Sequence, residues 1–179
     1  MTTMTDPGIR ERQAQFMQLM EPIHGRLLRF CRGVSSDKET ARDLASESIL
    51  IAWNNFDTLR EPETLRSYLF SVASRLSRRQ QARQQRYLRM NDADVESITC
   101  GISPEIATEV SLLEEALRKL PTKVCEAIVL FEVAGFSIEE IAGIQQSGVS
   151  AVKMRLLRGR KQLKKLLGIQ EEIRQVQLV

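Results

Sequence analysis

The stretch from Ser137 to Leu167, SIEEIAGIQQSGVSAVKMRLLRGRKQLKKLL, constrains this chain more than any other. It reads as a short helix, a turn and a longer helix. Ser137 and Glu140 have capping-box spacing, and Phe136 and Ile141 have the spacing of a hydrophobic staple. The short helix should stop near Gln145, with Ser147-Gly148 supplying the turn. From Val149 onward, Val149, Val152, Leu156, Leu163, Leu166 and Leu167 keep helical period, and Gly159 falls inside the same stripe. That stripe faces the core, where a glycine lets a neighbouring helix approach closely. The opposite face carries Ser150, Met154, Leu157, Arg158, Lys161 and Lys165, with Lys153 and Lys164 on its shoulder.

Between Ile141 and Gln170 there are seven basic residues and no acid. A helix that is apolar behind and cationic in front suits the major groove, where side chains read base edges while Lys and Arg hold phosphates. A solvated basic face would show the same charges. Met154 and Leu157 argue against that reading, because two large apolar groups among the cations can meet thymine methyls in a groove. The segment is read as DNA-binding.

Few Val/Ile-alternating runs and no strand pair with a hairpin turn point to an all-α chain. A hydrophobic fraction of 42% suffices for packed cores. The net charge of +3 hides strong segregation. Arg66 to Arg89 holds seven arginines and no acid, whereas Asn91 to Glu115 holds seven acids and no base. Such blocks suggest separate surfaces for separate partners. No apolar run approaches membrane-spanning length, and the first residues lack a signal core, so a cytoplasmic setting without membrane insertion is expected. Cys31, Cys100 and Cys125 are too far apart for a ligand cluster or a disulfide framework. Cys31 and Cys125 are read as core packing, and Cys100 as a loop thiol that nothing nearby activates. His24 has no recognisable nucleophile or carboxylate partner, and there is no Gly-rich phosphate loop or metal-ligand spacing. No cofactor, metal or catalytic residue is expected.

Along the chain, residues 1–12 read as polar and frayed. Gln13 to Val34 forms a first helix with Phe16, Met20, Ile23, Leu27, Phe30 and Cys31 in one stripe and a bend expected at Pro22. Ser36 and Glu39 have capping-box spacing ahead of a second helix over 37–56, with Ala41, Leu44, Ala45, Ser48, Ile51 and Ala52 inward. A third helix begins near Glu63 and ends in arginines, RLSRRQQARQQRYLR. The first domain is placed at 13–88, a flexible linker at 89–104 and a second domain at 105–170. In the second, a helix over 105–120 is ended by Pro121, which suits the first turn of the next. That next helix should turn Val124, Ile128 and Phe131 inward, and Ala134-Gly135 should close it. Two helical modules of this kind also fit a free-standing helix-turn-helix regulator with a sensing or dimerising first module. The arginine-rich end of the third helix favours a second nucleic-acid surface instead.

Four pieces of the chain carry a family resemblance. ARDLASESILIAW (Ala41–Trp53) and SYLFSVASRLSRRQQARQQR (Ser67–Arg86) lie in the first module; LRKLPTKVCEAIVLFEVAGFSIEEIA (Leu117–Ala142) and VKMRLLRGRKQL (Val152–Leu163) lie in the second. In order and spacing they resemble the sigma-70 superfamily, specifically the small two-domain extracytoplasmic-function (group 4) sigma factors, over residues 13–167. The resemblance implies a dissociable subunit that carries core RNA polymerase to promoter DNA and helps to melt it. Asp43, Ser46, Glu47, Leu50 and Trp53 would meet the clamp helices of the polymerase's largest subunit, and the second domain its flap region. Tyr68, Arg75, Arg78, Arg79, Arg83 and Arg86 would line the path of the separated downstream element, where guanidinium groups hold phosphates and stack on bases. Ser150, Lys153, Met154, Leu157 and Arg158 would read the upstream element, with Arg155, Arg160 and Lys161 on backbone phosphates. The resemblance also implies an anti-sigma partner masking both modules. Tyr68 and Arg75 stand where the family has Trp and Asn, and Met154 replaces a small polar residue, so unusual promoter sequences are expected.

Overall fold

The computed structural model describes residues 7–59, 61–90 and 109–169, and these form an all-α structure. The first module contains α1 (Pro7–Val34), α2 (Lys38–Asn54) and α3 (Leu65–Met90). The second contains α4 (Glu109–Arg118), α5 (Thr122–Glu132), α6 (Ile138–Gln145) and α7 (Val149–Leu166). Short 3-10 turns at Phe56–Thr58 and Pro62–Thr64 join α2 to α3. Most of the expected linker, Asn91 to Pro104, and Cys100 with it, lies outside the described residues.

The α1 stripe is buried as the periodicity predicts, with Leu27, Phe30 and Cys31 fully covered. The helix starts at Pro7 rather than Gln13, so residues 7–12 are helical and not frayed. Proline suits a first turn, where its missing N–H has no intrahelical partner to lose. The helix then runs uninterrupted through Pro22. At α2 the cap is Asp37 and not Ser36. The Asp37 carboxylate accepts the Thr40 N–H at 2.8 Å and the hydroxyls of Thr40 and Ser36, both at 2.7 Å. Hydrogen bonds from Thr40, then Ser36, hold its pKa down to about 2. A carboxylate adds to capping a favourable charge at the positive end of the helix, which a serine cannot.

In the second module the capping box is closed in both directions. Ser137 Oγ accepts the Glu140 N–H at 3.1 Å, and a Glu140 carboxylate oxygen accepts the Ser137 N–H at 2.7 Å. Phe136 and Ile141, the staple pair, are both buried. The turn pivots one residue earlier than Ser147-Gly148, on Gln146, whose φ of 49° is left-handed. The Ser147 N–H then reaches back to the Ala142 carbonyl at 2.9 Å, which closes the end of α6. On α7, Val152, Leu156 and Gly159 are buried. A Cβ at Gly159 would lie 2.8 Å from an Ile128 carbon and 2.9 Å from a Val124 methyl, so α5 approaches here as closely as the glycine predicts. Leu166 departs from the stripe: at the last turn of the helix it is 43% exposed.

The position of α5 organises the molecule. Cys125 through Leu130 are all buried, whereas Val124 and Phe131, expected inward beside Ile128, are only half-buried. The second buried side of α5 belongs to the first module. Val129 packs over Gly33 of α1, and the Cys125 thiol donates to the Gly33 carbonyl at 3.2 Å. Burial, and then the neighbouring Glu126, push the Cys125 pKa up to about 12. Burial does the same for Cys31. Phe70 of α3 meets Phe136 edge-on at 4.9 Å, so one apolar core runs through both modules.

Candidate nucleic-acid interface

On α7 the apolar side is spent on α5, which turns the other side to solvent. Ser150, Lys153, Met154, Leu157, Arg158 and Lys161 are all exposed, Leu157 at 63% and Met154 at 45%. Exposed large apolar groups set among cations are what a groove-reading face needs. Two other arginines assigned to this helix also have protein partners. Arg155 donates to Gln145 Oε1 at 2.6 Å and to Ser147 Oγ at 2.8 Å, bracing the turn between α6 and α7. Arg160 donates to a Glu132 carboxylate oxygen at 2.7 Å and lies 5.2 Å from the Phe131 ring centroid. Both partners of that pair are exposed, so it contributes little stability.

On α3 the arginines divide in the same manner. Arg75, Arg79, Arg83 and Arg86 recur at helical spacing and are all exposed, while Tyr68 is half-buried. Arg78, one residue off that row, turns toward the second module. Its side chain is 28% exposed, its Nε donates to the Ser74 carbonyl at 3.2 Å, and it faces the buried Glu126 carboxylate at 3.9 Å. Glu126 also accepts from Gln145 Nε2 at 2.7 Å. A polar chain thus runs Arg155, Gln145, Glu126, Arg78, through α7, α6, α5 and α3. Burial raises the Glu126 pKa, with Arg78, Ser74, Gln145 and Arg155 opposing the rise.

On α2, Asp43, Ser46, Glu47 and Leu50 share one exposed face, Leu50 at 57%. Trp53 sits at the edge of that face, half-buried. Phe16 packs edge-on at 5.2 Å, and the Arg12 guanidinium lies 4.1 Å from the Trp53 ring centroid. Arg12 also donates to the Trp53 carbonyl at 2.7 Å and pairs with Asp57 at 2.8 Å. Sequence reasoning missed Arg12, because it fell in the stretch read as frayed; the signal was Pro7 as a first-turn residue. It missed Arg66 as well. That guanidinium lies 4.0 Å from the Phe136 ring centroid and donates to the Ala134 and Gly135 carbonyls at 2.9 and 2.8 Å, tying α3 to the turn after α5. Glu126 was legible only as one acid inside an apolar run.

An all-helical chain with an exposed acidic face, a row of arginines and a basic helix-turn-helix, in that order, defines a two-module transcription protein. Comparison with known proteins agrees. Residues 19–87 match the family described as Sigma-70 region 2, and residues 111–163 match Sigma-70, region 4. The ECF RNA polymerase sigma factor EcfG of Rhodopseudomonas palustris (strain TIE-1) is 30% identical over 141 residues, covering 77% of this chain and 77% of that protein. The ECF RNA polymerase sigma factor SigW of Bacillus subtilis (strain 168) is 27% identical over 168 residues, 87% of this chain and 90% of that protein. Among solved structures, the sigma factor RpoE in complex with the anti-sigma factor NepR from Bartonella quintana gives a TM-score of 0.74 at 26% identity, covering 86% of this chain and 97% of that one. CnrH in complex with the cytosolic domain of CnrY gives 0.65 at 25% identity, covering 87% and 89%. The chain belongs to the extracytoplasmic-function (ECF) RNA polymerase sigma factors of the sigma-70 superfamily. Its function is that of an RNA polymerase sigma factor, and a free-standing regulator is not favoured.

Proposed function

We propose that the three exposed faces divide the work of initiation among them, and that the chain does no chemistry of its own. Asp43, Ser46, Glu47 and Leu50, with Trp53 at their edge, bind the clamp helices of the polymerase's largest subunit; acids suit a partner rich in arginine. The row of Arg75, Arg79, Arg83 and Arg86, with Arg78 and Tyr68 beside it, takes the separated downstream strand. Ser150, Lys153, Met154, Leu157 and Arg158 read the upstream duplex, while Arg155, Arg160 and Lys161 serve its phosphates. Residues 13–88 and 105–170 act as the two modules, with 89–104 as the tether and the second module also meeting the flap region. The free energy of melting comes from binding, as bases leave the stack for the first module.

The observation that carries this reading is the pair of exposed, acid-free basic faces on α3 and α7, each backed by a packed side. A cytoplasmic setting goes with it, and no helix among the described residues is long and apolar enough to cross a membrane. The RpoE and CnrH structures hold an anti-sigma factor and the cytosolic domain of CnrY, which supports a protein inhibitor for this chain too. The test is capture of core polymerase. Asp43→Arg combined with Glu47→Arg should abolish co-purification with core while the circular dichroism spectrum stays unchanged, since both side chains are exposed. Co-purification at wild-type strength would remove this face from the assignment.

A further inference from the structure

The seam between the modules carries more charge than a permanent interface needs. Its apolar part is tight: Phe70 lies against Phe136, and a Cβ at Gly33 would fall 2.9 Å from a Val129 methyl. Polar groups surround that contact. Glu126 is only 2% exposed, with Arg78 of α3 at 3.9 Å and Gln145 of α6 at 2.7 Å. Gln81 of α3 accepts from the Thr122 hydroxyl at 2.5 Å and donates to the Val34 carbonyl at 3.0 Å. Arg32 of α1 pairs with Glu114 of α4 at 2.8 Å. A carboxylate taken out of water is repaid only by close, well-formed pairing, and an apolar residue at 126 would hold two modules together better. Polar interfaces inside one chain are the kind that open.

We propose that this seam is a reversible latch in which Glu126 of α5 occupies Arg78 of α3, so that the docked second module withholds Arg78 from unpaired promoter DNA until the modules separate. The proposal rests on the reading of the α3 arginine row as the strand-binding face. A phosphate and the Glu126 carboxylate are alternative partners for one guanidinium, and the buried acid is in place before any DNA arrives. The row itself, Arg75, Arg79, Arg83 and Arg86, stays exposed in the closed form, so closure weakens strand binding without abolishing it. Only the open fraction of molecules binds at full strength, and the apparent affinity falls by that fraction.

The geometry supplies its own test in the full chain. A Cβ at residue 33 would lie 3.6 Å from the Val129 Cβ, inside the range that a disulfide spans. Gly33→Cys with Val129→Cys, in a background of Cys31→Ala, Cys100→Ser and Cys125→Ser, locks the seam when oxidised and frees it when reduced. Gly33→Gln is the opposite device. It drives a side chain against Val129, whose atoms are the three nearest to that position, while raising the helix propensity of α1 itself. Binding is read by fluorescence anisotropy on a labelled single-stranded DNA 20-mer of mixed sequence at low salt. The oxidised lock should bind roughly tenfold more weakly than the same chain reduced, the loss expected for one charge-assisted contact. The Gly33→Gln chain should bind more tightly than the unmodified one, and adding Arg78→Ala should return it to about the level of the lock. Equal binding by oxidised and reduced chains would overturn the latch and leave the strand-binding reading standing. If no form binds the DNA, that reading falls and the latch falls with it. Failure of the disulfide to form in the folded chain counts against the seam itself. Should the Gly33→Gln chain not fold, the redox comparison alone decides.

Discussion

Helices α3 and α7 are built on one plan and held in two ways. Each is long, packs one side and shows arginines or lysines on the other. On α7 the packing is internal to its own module: Gly159 lets α5 come within touching distance, and the basic face is fixed wherever that module goes. On α3 the arginine row is exposed, but Arg78 beside it is already engaged by Glu126 across the seam. Glycine-mediated packing therefore gives a permanently presented surface, whereas packing across a polar seam gives one whose full strength depends on where the other module sits.

The contact that fixes α7 should yield the largest effect. Gly159→Ala would place a Cβ under 3 Å from both Ile128 and Val124, and overpacking of this kind costs about 1–3 kcal/mol. Gly143 on α6 has nothing within 4 Å of its Cβ position, so Gly143→Ala should be neutral or stabilise by up to about 1 kcal/mol. Denaturant titration of the two variants separates them. Equal midpoints would mean that the close approach of α5 and α7 is absent.

Within the α7 face, reading and holding should come apart. Lys153 lies near the amino end of the helix, which groove docking brings closest to the bases. Lys153→Ala should cost roughly 1–3 kcal/mol on the preferred site and relax discrimination at one or two positions. Lys161 lies about two turns later, and Lys161→Ala should weaken all sequences alike and lower the salt slope by about one. Titration against a randomised upstream element at two salt concentrations distinguishes them; identical sequence profiles would mean a different docking.

The seam should show the smallest effect, and a pH-dependent one. Burial raises the Glu126 pKa from its ordinary 4.5, facing Arg78 from α3, Arg155 from α7 and Gln145 from α6, with Cys125 beside it on α5. A raised acid favours the folded form while protonated, so its contribution is complete below the ordinary carboxylate range and is lost as pH rises through the raised value. Glu126→Gln keeps the shape and removes that titration. Melting temperatures measured from acid to neutral pH should show the wild type losing ground to the variant as pH rises. A constant difference would mean that Glu126 does not titrate in this way.

What could be read in the sequence was what is decided locally. The capping box at Ser137, the staple, the stripe of α7 apart from Leu166 at its end, and the meaning of Gly159 all rest on residues a few positions apart, and they stand as read. Where two local solutions competed, the sequence did not choose between them: Ser36 and Asp37 both suit a cap, and Gln146 took the left-handed position although Gly148 was near. The engagement of Arg78, Arg155 and Arg160 was not legible at all. Their partners Glu126, Gln145 and Glu132 lie 48, 10 and 28 positions away, and only packing brings them together. The burial of α5 on its second side escaped notice for the same reason, since that cover comes from α1.

One titration tests the division of labour most directly. Two double variants, Arg75→Ala with Arg79→Ala on α3 and Lys153→Ala with Leu157→Ala on α7, are each measured against two DNAs. One is a duplex carrying an upstream element selected from a randomised pool, and the other is the single strand of a downstream element. The α3 variant should lose the single strand and keep the duplex, and the α7 variant should do the reverse. If both variants weaken both DNAs to the same extent, the two helices form one undifferentiated basic surface and the account is wrong.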